Sequence, residues 1–383
     1  GHGFRVLILE AGPRFDPSVD YPLTNPDWER QLFPTKPGSQ GAVSYGDLGT
    51  LDANDADLAS WNTVSGRVFD NPVRVPSAAG YSHVQGVGGS TLHYVGEAHR
   101  LNPDSLRLAT DHGVGSDWPL GFADIEPFYV VCETEIGVAG APPKGPRWPS
   151  TDHLQPAHPL STSARALDEA GGRLGMAWEP NTRAALSEPK DGRPNCNYCG
   201  NCGRGCPLGD KGSADVTFIR KAEATGRLTI WAGAQVTKLI AGSDRRISAV
   251  SGLRDGLAFE VETPVLVLAA GAVQTPRLLL ANDVANSSGQ VGRNFMETLG
   301  WTSTGLRAGL ANTHKGLPAD AVSWTFNSPG SVPGVVGGCR FTASTQETGL
   351  LGPVAYGSRI VDGYGAAFKA LMRRDFGAAI SVS

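Results

Sequence analysis

Four apolar residues in a row, Val6-Leu7-Ile8-Leu9, run into Glu10-Ala11-Gly12-Pro13. A run without polar alternation predicts a strand buried on both faces of a parallel sheet. Gly12 and Pro13 stop it. A second run, Val265-Leu266-Val267-Leu268-Ala269-Ala270, predicts another buried strand, leading into Gly271-Ala272. A helix follows, with Thr275 as N-cap and Pro276 at the first helical position. Between the two runs, Leu228–Trp231 reads as a short strand, and 235–241, 247–253 and 257–263 as three consecutive strands. Asp255-Gly256 joins the last two, as a type I′ hairpin turn needs positive φ at both central positions. Ala123, Ile125, Phe128, Tyr129 and Cys132 recur at helical spacing within 117–137, with Asp117 or Asp124 as the cap. A further helix is expected over 161–175, capped by Ser161 or Ser163. The aromatic and Thr-rich run Ser323-Trp324-Thr325-Phe326 suggests a second sheet.

Composition narrows the class. A chain of 383 residues can hold two or three domains and a large core, and 50 Gly and 27 Pro mark it as rich in loops. Residues 14–75 read as long excursions over a scaffold, and the Pro-rich stretch 139–160 as a linker. A net charge of −4 gives no electrostatic reason to expect nucleic acid or an anionic membrane. No apolar run approaches the ~20 residues of a membrane helix. The chain opens Gly-His-Gly without an initiator Met and ends without a stop signal, so a fragment is expected and localisation stays open.

Three features carry candidate chemistry. Glu10 sits at the carboxyl end of its strand, where open α/β sheets bind ligands, and can accept hydrogen bonds from both hydroxyls of an adenosine ribose. The alternative is an acidic residue that merely ends a strand. In Gln85-Gly-Val-Gly-Gly-Ser-Thr-Leu-His-Tyr94, glycines allow close backbone approach to a flat or anionic ligand, and the loop amides can cradle a pyrophosphate. A tight turn is the alternative. Cys196-x2-Cys199-x2-Cys202-x3-Cys206-Pro207 has the spacing of bacterial ferredoxins. Three-iron and four-iron clusters, tetrahedral zinc and two local disulfides all remain open. The other histidines are scattered and receive no metal role.

Five blocks in order resemble the glucose–methanol–choline (GMC) flavin oxidoreductases: Val6–Pro13, Gly86–Tyr94 with Arg100 after it, Asp117–Gly137, Ala269–Leu280 and Val291–Met296. The resemblance runs from residue 1 to about residue 300. It is greatest to the branch holding flavin subunits of gluconate and related sugar dehydrogenases, through Cys196–Lys211 and His93.

The resemblance implies an α/β, FAD-binding, Rossmann-like two-dinucleotide-binding fold with a β-meander, plus an α+β substrate domain with an antiparallel sheet. It divides the chain into a first flavin-binding part (1–138), a linker, helix and Cys-rich loop (139–210), a second flavin-binding part (211–300) and a substrate domain (301–383). Glu10 would hold the ribose of FAD. Gly88, Gly89, Ser90 and Thr91 would lie along the pyrophosphate and flavin ring. Val236 would meet the adenine through its backbone, and Gly271 and Ala272 would pack near the cofactor. His93 occupies the position that is bonded covalently to flavin in several relatives. The family's Gly-x-Gly-x-x-Gly fingerprint is expected before residue 1 and its catalytic His beyond residue 383, so the chain alone is expected to be inactive.

The implied reaction is oxidation of a CH–OH group of a sugar, sugar acid or alcohol by hydride transfer to flavin. A cluster at Cys196, Cys199, Cys202 and Cys206 would favour a dehydrogenase that passes electrons to a carrier or cytochrome subunit. An oxygen-using alcohol oxidase, a thiol-redox flavoprotein using Cys199 and Cys202, and an inactive nucleotide-binding paralogue are the rivals.

Overall fold

The computed structural model describes residues 3–20, 85–141, 148–149, 152–200, 202–242, 244, 246–296, 303–344 and 364–383. Most of the excursion expected over 14–75 lies outside them. The strands are β1 (Val6–Glu10), β2 (Glu179–Pro180), β3 (Leu228–Ala232), β4 (Ala234–Ala241), β5 (Ile247–Arg254), β6 (Leu257–Glu262), β7 (Ser303–Leu306), β8 (Ala321–Ser323), β9 (Phe341–Ser344) and β10 (Ala379–Val382). The longer helices are α1 (Phe122–Ile136), α2 (Thr162–Arg173), α3 (Gly271–Ala281) and α4 (Gly365–Asp375).

β1 and β3 pair in parallel, from Val6 opposite Leu228 to Glu10 opposite Ala232. The crossover between them contains the glycine turn, α1, α2 and the cysteine loop. β4, β5 and β6 form an antiparallel meander. Its hairpin turn is of the expected kind, with φ of 51° at Asp255 and 79° at Gly256. The Gly233 amide donates to the Gly12 carbonyl at 3.0 Å, so the meander leaves directly beside the exit of β1. Trp231 meets Phe259 edge-on at 5.8 Å, and the Arg254 guanidinium lies over its ring. The remaining strands make an antiparallel sheet in the order β2-β8-β9-β10-β7. Ala164 of α2 packs on Ala321 and Ala343, where small side chains let the helix approach the sheet.

Two strand expectations need correction. β1 is half-buried rather than covered on both faces, and Val6 is 50% exposed. Its ladder has one neighbour among the described residues, β3. The apolar run 265–270 forms no strand, and Val265 and Val267 are 74% and 79% exposed. After Thr263, whose amide still donates to Ser248, the backbone peels away from the meander. An apolar run supplies a tendency to extend, but a strand requires a hydrogen-bonding neighbour, and no described segment offers one.

Helix starts also shift. α3 begins at Gly271, with Ala270 as N-cap and Pro276 inside it. Thr275 still caps, but backward: its Oγ1 accepts from the Ala270 amide at 3.1 Å. Asn282 fastens the other end to β4, accepting from Leu239 N and donating to Leu278 O and Thr237 O. α1 starts after Gly121, whose amide donates to Asp124 Oδ2 at 2.8 Å, and ends at Gly137 with φ of 79°. Asp117 caps a different helix, Leu108–His112, by accepting from the amides of Ala109 and Thr110. Ser161 caps α2 by accepting from Ala164 N.

The Pro-rich segment is stitched to its surroundings where it is described. Gln155 exchanges backbone bonds with Val138 and Gly140. His153 Nε2 lies 2.6 Å from Glu133 Oε2. Glu133 also takes a two-pronged bond from buried Arg100, at 2.9 and 2.7 Å, and Trp148 stacks on the same guanidinium.

Candidate functional site

The site is built from the exit of β1 outward. Glu10 Oε1 accepts from Gly12 N at 2.8 Å and from Gly86 N at 3.0 Å. The second bond draws the glycine turn onto the strand end across 76 residues of sequence. The approach is close enough to require glycine: a Cβ on Gly12 would lie 2.2 Å from the Gln85 carbonyl carbon. Burial pushes the Glu10 carboxyl above its ordinary range, and the two amides pull it back in part.

Beneath the turn, Phe15 and Leu92 form a small apolar core. Val87 N donates to Pro13 O at 3.0 Å. Gly88 and Gly89 have φ of 114° and 57°, and a 3₁₀ turn follows over Gly89–Leu92. Space opens beside Gly89, with no atom within 4 Å of where a Cβ would stand, and Ser90 is exposed. Thr91 differs: its hydroxyl donates to Gly88 O and accepts from Ala214 N, so it braces the turn.

His93 closes the turn. Its Nδ1 lies 2.8 Å from Gly203 O, which places the proton on Nδ1 and joins the turn to the cysteine loop. Tyr94 OH donates to Gly212 O at 2.9 Å.

All six cysteines are free thiols. In the loop, Cys196, Cys202 and Cys206 are buried and Cys199 is half-buried. Burial pushes the Cys196 and Cys202 thiols up, and lifts Cys206 to about 12. Cys206 Sγ donates to Asp210 Oδ1 at 2.8 Å. Among the described residues, no three His, Cys, Asp or Glu side chains are gathered to hold a metal ion. As placed, the four sulfurs form no cage for zinc or an iron–sulfur cluster. Three buried cations lie nearby: Arg183 and Lys211 act on Cys202, and Arg193 on Asp210. Burial lowers all three, Lys211 to about 8.

Val236 lies in β4 opposite Gly252, next to an irregularity in the strand register. A Cβ on Gly252 would sit 1.9 Å from Gln235 O, so the meander is pressed together there. Gly271 and Ala272 open α3 and are exposed. The structure therefore brings Glu10, the glycine turn, His93 and the cysteine loop into one connected network. Sequence reasoning passed over Lys211 and Asp210 as members of it. The signal was the pair of charges in Cys206-Pro-Leu-Gly-Asp-Lys-Gly212, set in an otherwise small and apolar loop.

Residues 153–299 match the family described as GMC oxidoreductase. Those residues form a GMC oxidoreductase domain. It is 32% identical to the fructose dehydrogenase large subunit of Gluconobacter japonicus, over 77% of this chain and 54% of the relative. It is 27% identical to 2-methyl-1,2-propanediol dehydrogenase of Mycolicibacterium austroafricanum, over 92% of this chain and 63% of that protein. The gluconate 2-dehydrogenase flavoprotein of Pantoea cypripedii is 25% identical over 76% of this chain and 52% of its own length. The chain thus spans between about half and two thirds of these relatives. A formate oxidase of Aspergillus oryzae, solved in a study of its FAD modification, superposes with a TM-score of 0.56 at 13% identity. That match covers 99% of this chain and 68% of the oxidase. The fold is the Rossmann-like, flavin-binding fold of the GMC proteins, with a meander and an antiparallel sheet.

Proposed function

We propose that this GMC oxidoreductase chain binds FAD and serves oxidation of a CH–OH group in a sugar, sugar acid or alcohol, as a dehydrogenase that hands electrons to a carrier. The observation that carries this reading is the Glu10 node, a strand-end carboxylate holding a positive-φ glycine turn against the exit of β1. These residues fit the cofactor. Glu10 Oε2 would take the ribose, because both amide bonds go to Oε1. The open positions at Gly89 and Ser90 would accept a pyrophosphate and ring, with Gly88 shaping the approach. His93 stands beside them. The backbone of Val236 would meet the adenine, and Gly271 with Ala272 would flank the cofactor. When bound, FAD accepts the hydride from the carbon that bears the hydroxyl. The chain's own residues bind and orient it, and Thr91 keeps the turn in shape.

We assign residues 1–138 and 211–300 to flavin binding, 139–210 to the linker and cysteine loop, and 301–383 to the substrate side. The names of the relatives, a fructose dehydrogenase large subunit and a gluconate dehydrogenase flavoprotein, support a sugar or sugar-acid substrate and an electron-accepting partner subunit. The Cys196–Cys206 spacing supports a cluster in that electron path, whereas the sulfur positions do not.

The test is to express the protein from its full reading frame and titrate it with FAD, following quenching of flavin fluorescence. Stoichiometric binding and reduction of an artificial acceptor with a sugar, without oxygen uptake, are expected. Failure to bind FAD defeats the reading. Oxygen uptake matching substrate consumption converts it to an oxidase. Iron and acid-labile sulfide in the purified protein would place a cluster at the cysteines, and absence of both removes it.

A further inference from the structure

We infer that Lys211 is a positioning residue that makes the flavin-facing turn and the cysteine loop one rigid unit; the flavin-facing role of the turn rests on the function proposed above. Lys211 is among the most completely buried side chains in the molecule, at 1% exposure. An ammonium in such a place must have its donors satisfied. None of its hydrogen bonds goes to a carboxylate. Nζ donates to Leu92 O at 3.0 Å, Tyr94 O at 3.0 Å and Cys202 O at 2.7 Å, which uses all three N–H groups. It also lies 5.1 Å from the centre of the Tyr94 ring.

The choice of acceptors is informative. Leu92 and Tyr94 are the two neighbours of His93, so one side chain holds the backbone on both sides of that histidine. The third acceptor, Cys202, immediately precedes Gly203, whose carbonyl pairs with His93 Nδ1. Lys211 and His93 thus span the same two segments in parallel. Tyr94 to Gly212 and Ala214 to Thr91 add two further bonds between residues 91–94 and 212–214. Separation of the segments would strand a buried charge without partners, so the arrangement holds as a whole or not at all. A displacement of the cysteine loop is passed to the backbone of His93, and the reverse.

The test is amide hydrogen exchange on the full-length protein without ligand, in the wild type and in Lys211→Met, which keeps the length of the side chain and removes its donors. FAD affinity is measured on the same samples. Exchange is expected to accelerate at least tenfold in residues 89–94 and 202–206 together, with β4–β6 unchanged, and the FAD dissociation constant to rise at least tenfold. A generic loss of stability would accelerate the meander equally, and that result overturns the proposal. So does acceleration in one segment alone, or an FAD dissociation constant within twofold of wild type. If Lys211→Met does not fold, Lys211→Gln, whose shorter side chain carries two N–H donors and cannot satisfy all three carbonyls, is measured with the same outcomes. A wild-type protein that binds no FAD defeats the flavin reading, whereas the exchange pattern still decides whether Lys211 couples the two segments.

Discussion

Glu10 and His99 are both half-buried titratable groups, and burial shifts each toward its neutral form. For Glu10, two backbone amides keep a carboxylate worth having in a half-buried place. Hydrogen bonds to a charged acceptor contribute about 1.5–3 kcal/mol. Glu10→Gln is therefore expected to weaken FAD binding about tenfold to a hundredfold, as read by fluorescence titration; a change below twofold would separate Glu10 from the ribose. Because its carboxyl is raised, affinity should fall as pH drops through a point above the usual carboxylate range. His99 accepts at Nδ1 from Arg340 and bonds Asn181 through Nε2 at 2.6 Å, with Trp324 edge-on to its ring. Burial takes it down to about 4, and the Arg340 and Arg183 cations also oppose protonation, while Glu97 favours it. The unfolded chain takes up this proton near pH 6.5, the folded chain only near 4, so stability is lost as pH falls across that window. At about 1.4 kcal/mol per unit, the loss approaches about 3 kcal/mol by pH 4. Urea melts of wild type and His99→Gln between pH 7 and 4 should show a smaller acid loss in the variant. Parallel acid profiles would remove His99 as the cause.

Among the elements, the β4–β6 meander is the one most fully stated by local sequence. Its turn requires positive φ at Asp255 and Gly256, and only local backbone sterics are involved. Gly256→Ala should cost about 1 kcal/mol, the penalty for a side chain in a left-handed turn. Gly252→Ala should cost several times more, because its Cβ would overlap Gln235 O at 1.9 Å and the strands must part. Urea midpoints rank the two; equal costs would mean that β4 yields at Val236. α1 and α2 were legible for the same local reason, since their spacing and caps lie within a few residues. The run 265–270 was misread because apolar content says nothing of which neighbour is available. Thr275 illustrates a finer limit: a hydroxyl that can cap forward from its own position caps backward to Ala270 once the helix begins five residues earlier.

Across the whole molecule, the long β1–β3 crossover folds back on itself at Arg100. This guanidinium is fully buried, grips Glu133 and Glu126 of α1, and lies under Trp148 and against Tyr129. Removing one partner of such a pair leaves an uncompensated buried charge, at a cost of about 3–5 kcal/mol. Glu133→Ala is thus expected to lower stability by about that amount, with His153 released from the same carboxylate. A loss under about 1 kcal/mol in chemical denaturation would show the pair to be screened like a surface bridge.

The sequence by itself determined the parts that depend on near neighbours: the meander and its turn, the helical spans of α1 and α2, the Ser161 cap, the glycine turn, the position of Glu10 and the resemblance that these blocks carry. It also set four cysteines at a ligand-like spacing. Only the tertiary structure decided that β1 has one ladder neighbour among the described residues, that Glu10 holds Gly86, and that the cysteines are not gathered into a metal site there. It alone placed the Lys211 ammonium between Leu92, Tyr94 and Cys202. The physical reason is one of range. Backbone sterics and caps act over a few residues, so a pattern can state them. Desolvation and the satisfaction of a buried charge depend on what the chain brings from more than a hundred residues away, as Leu92 is brought to Lys211.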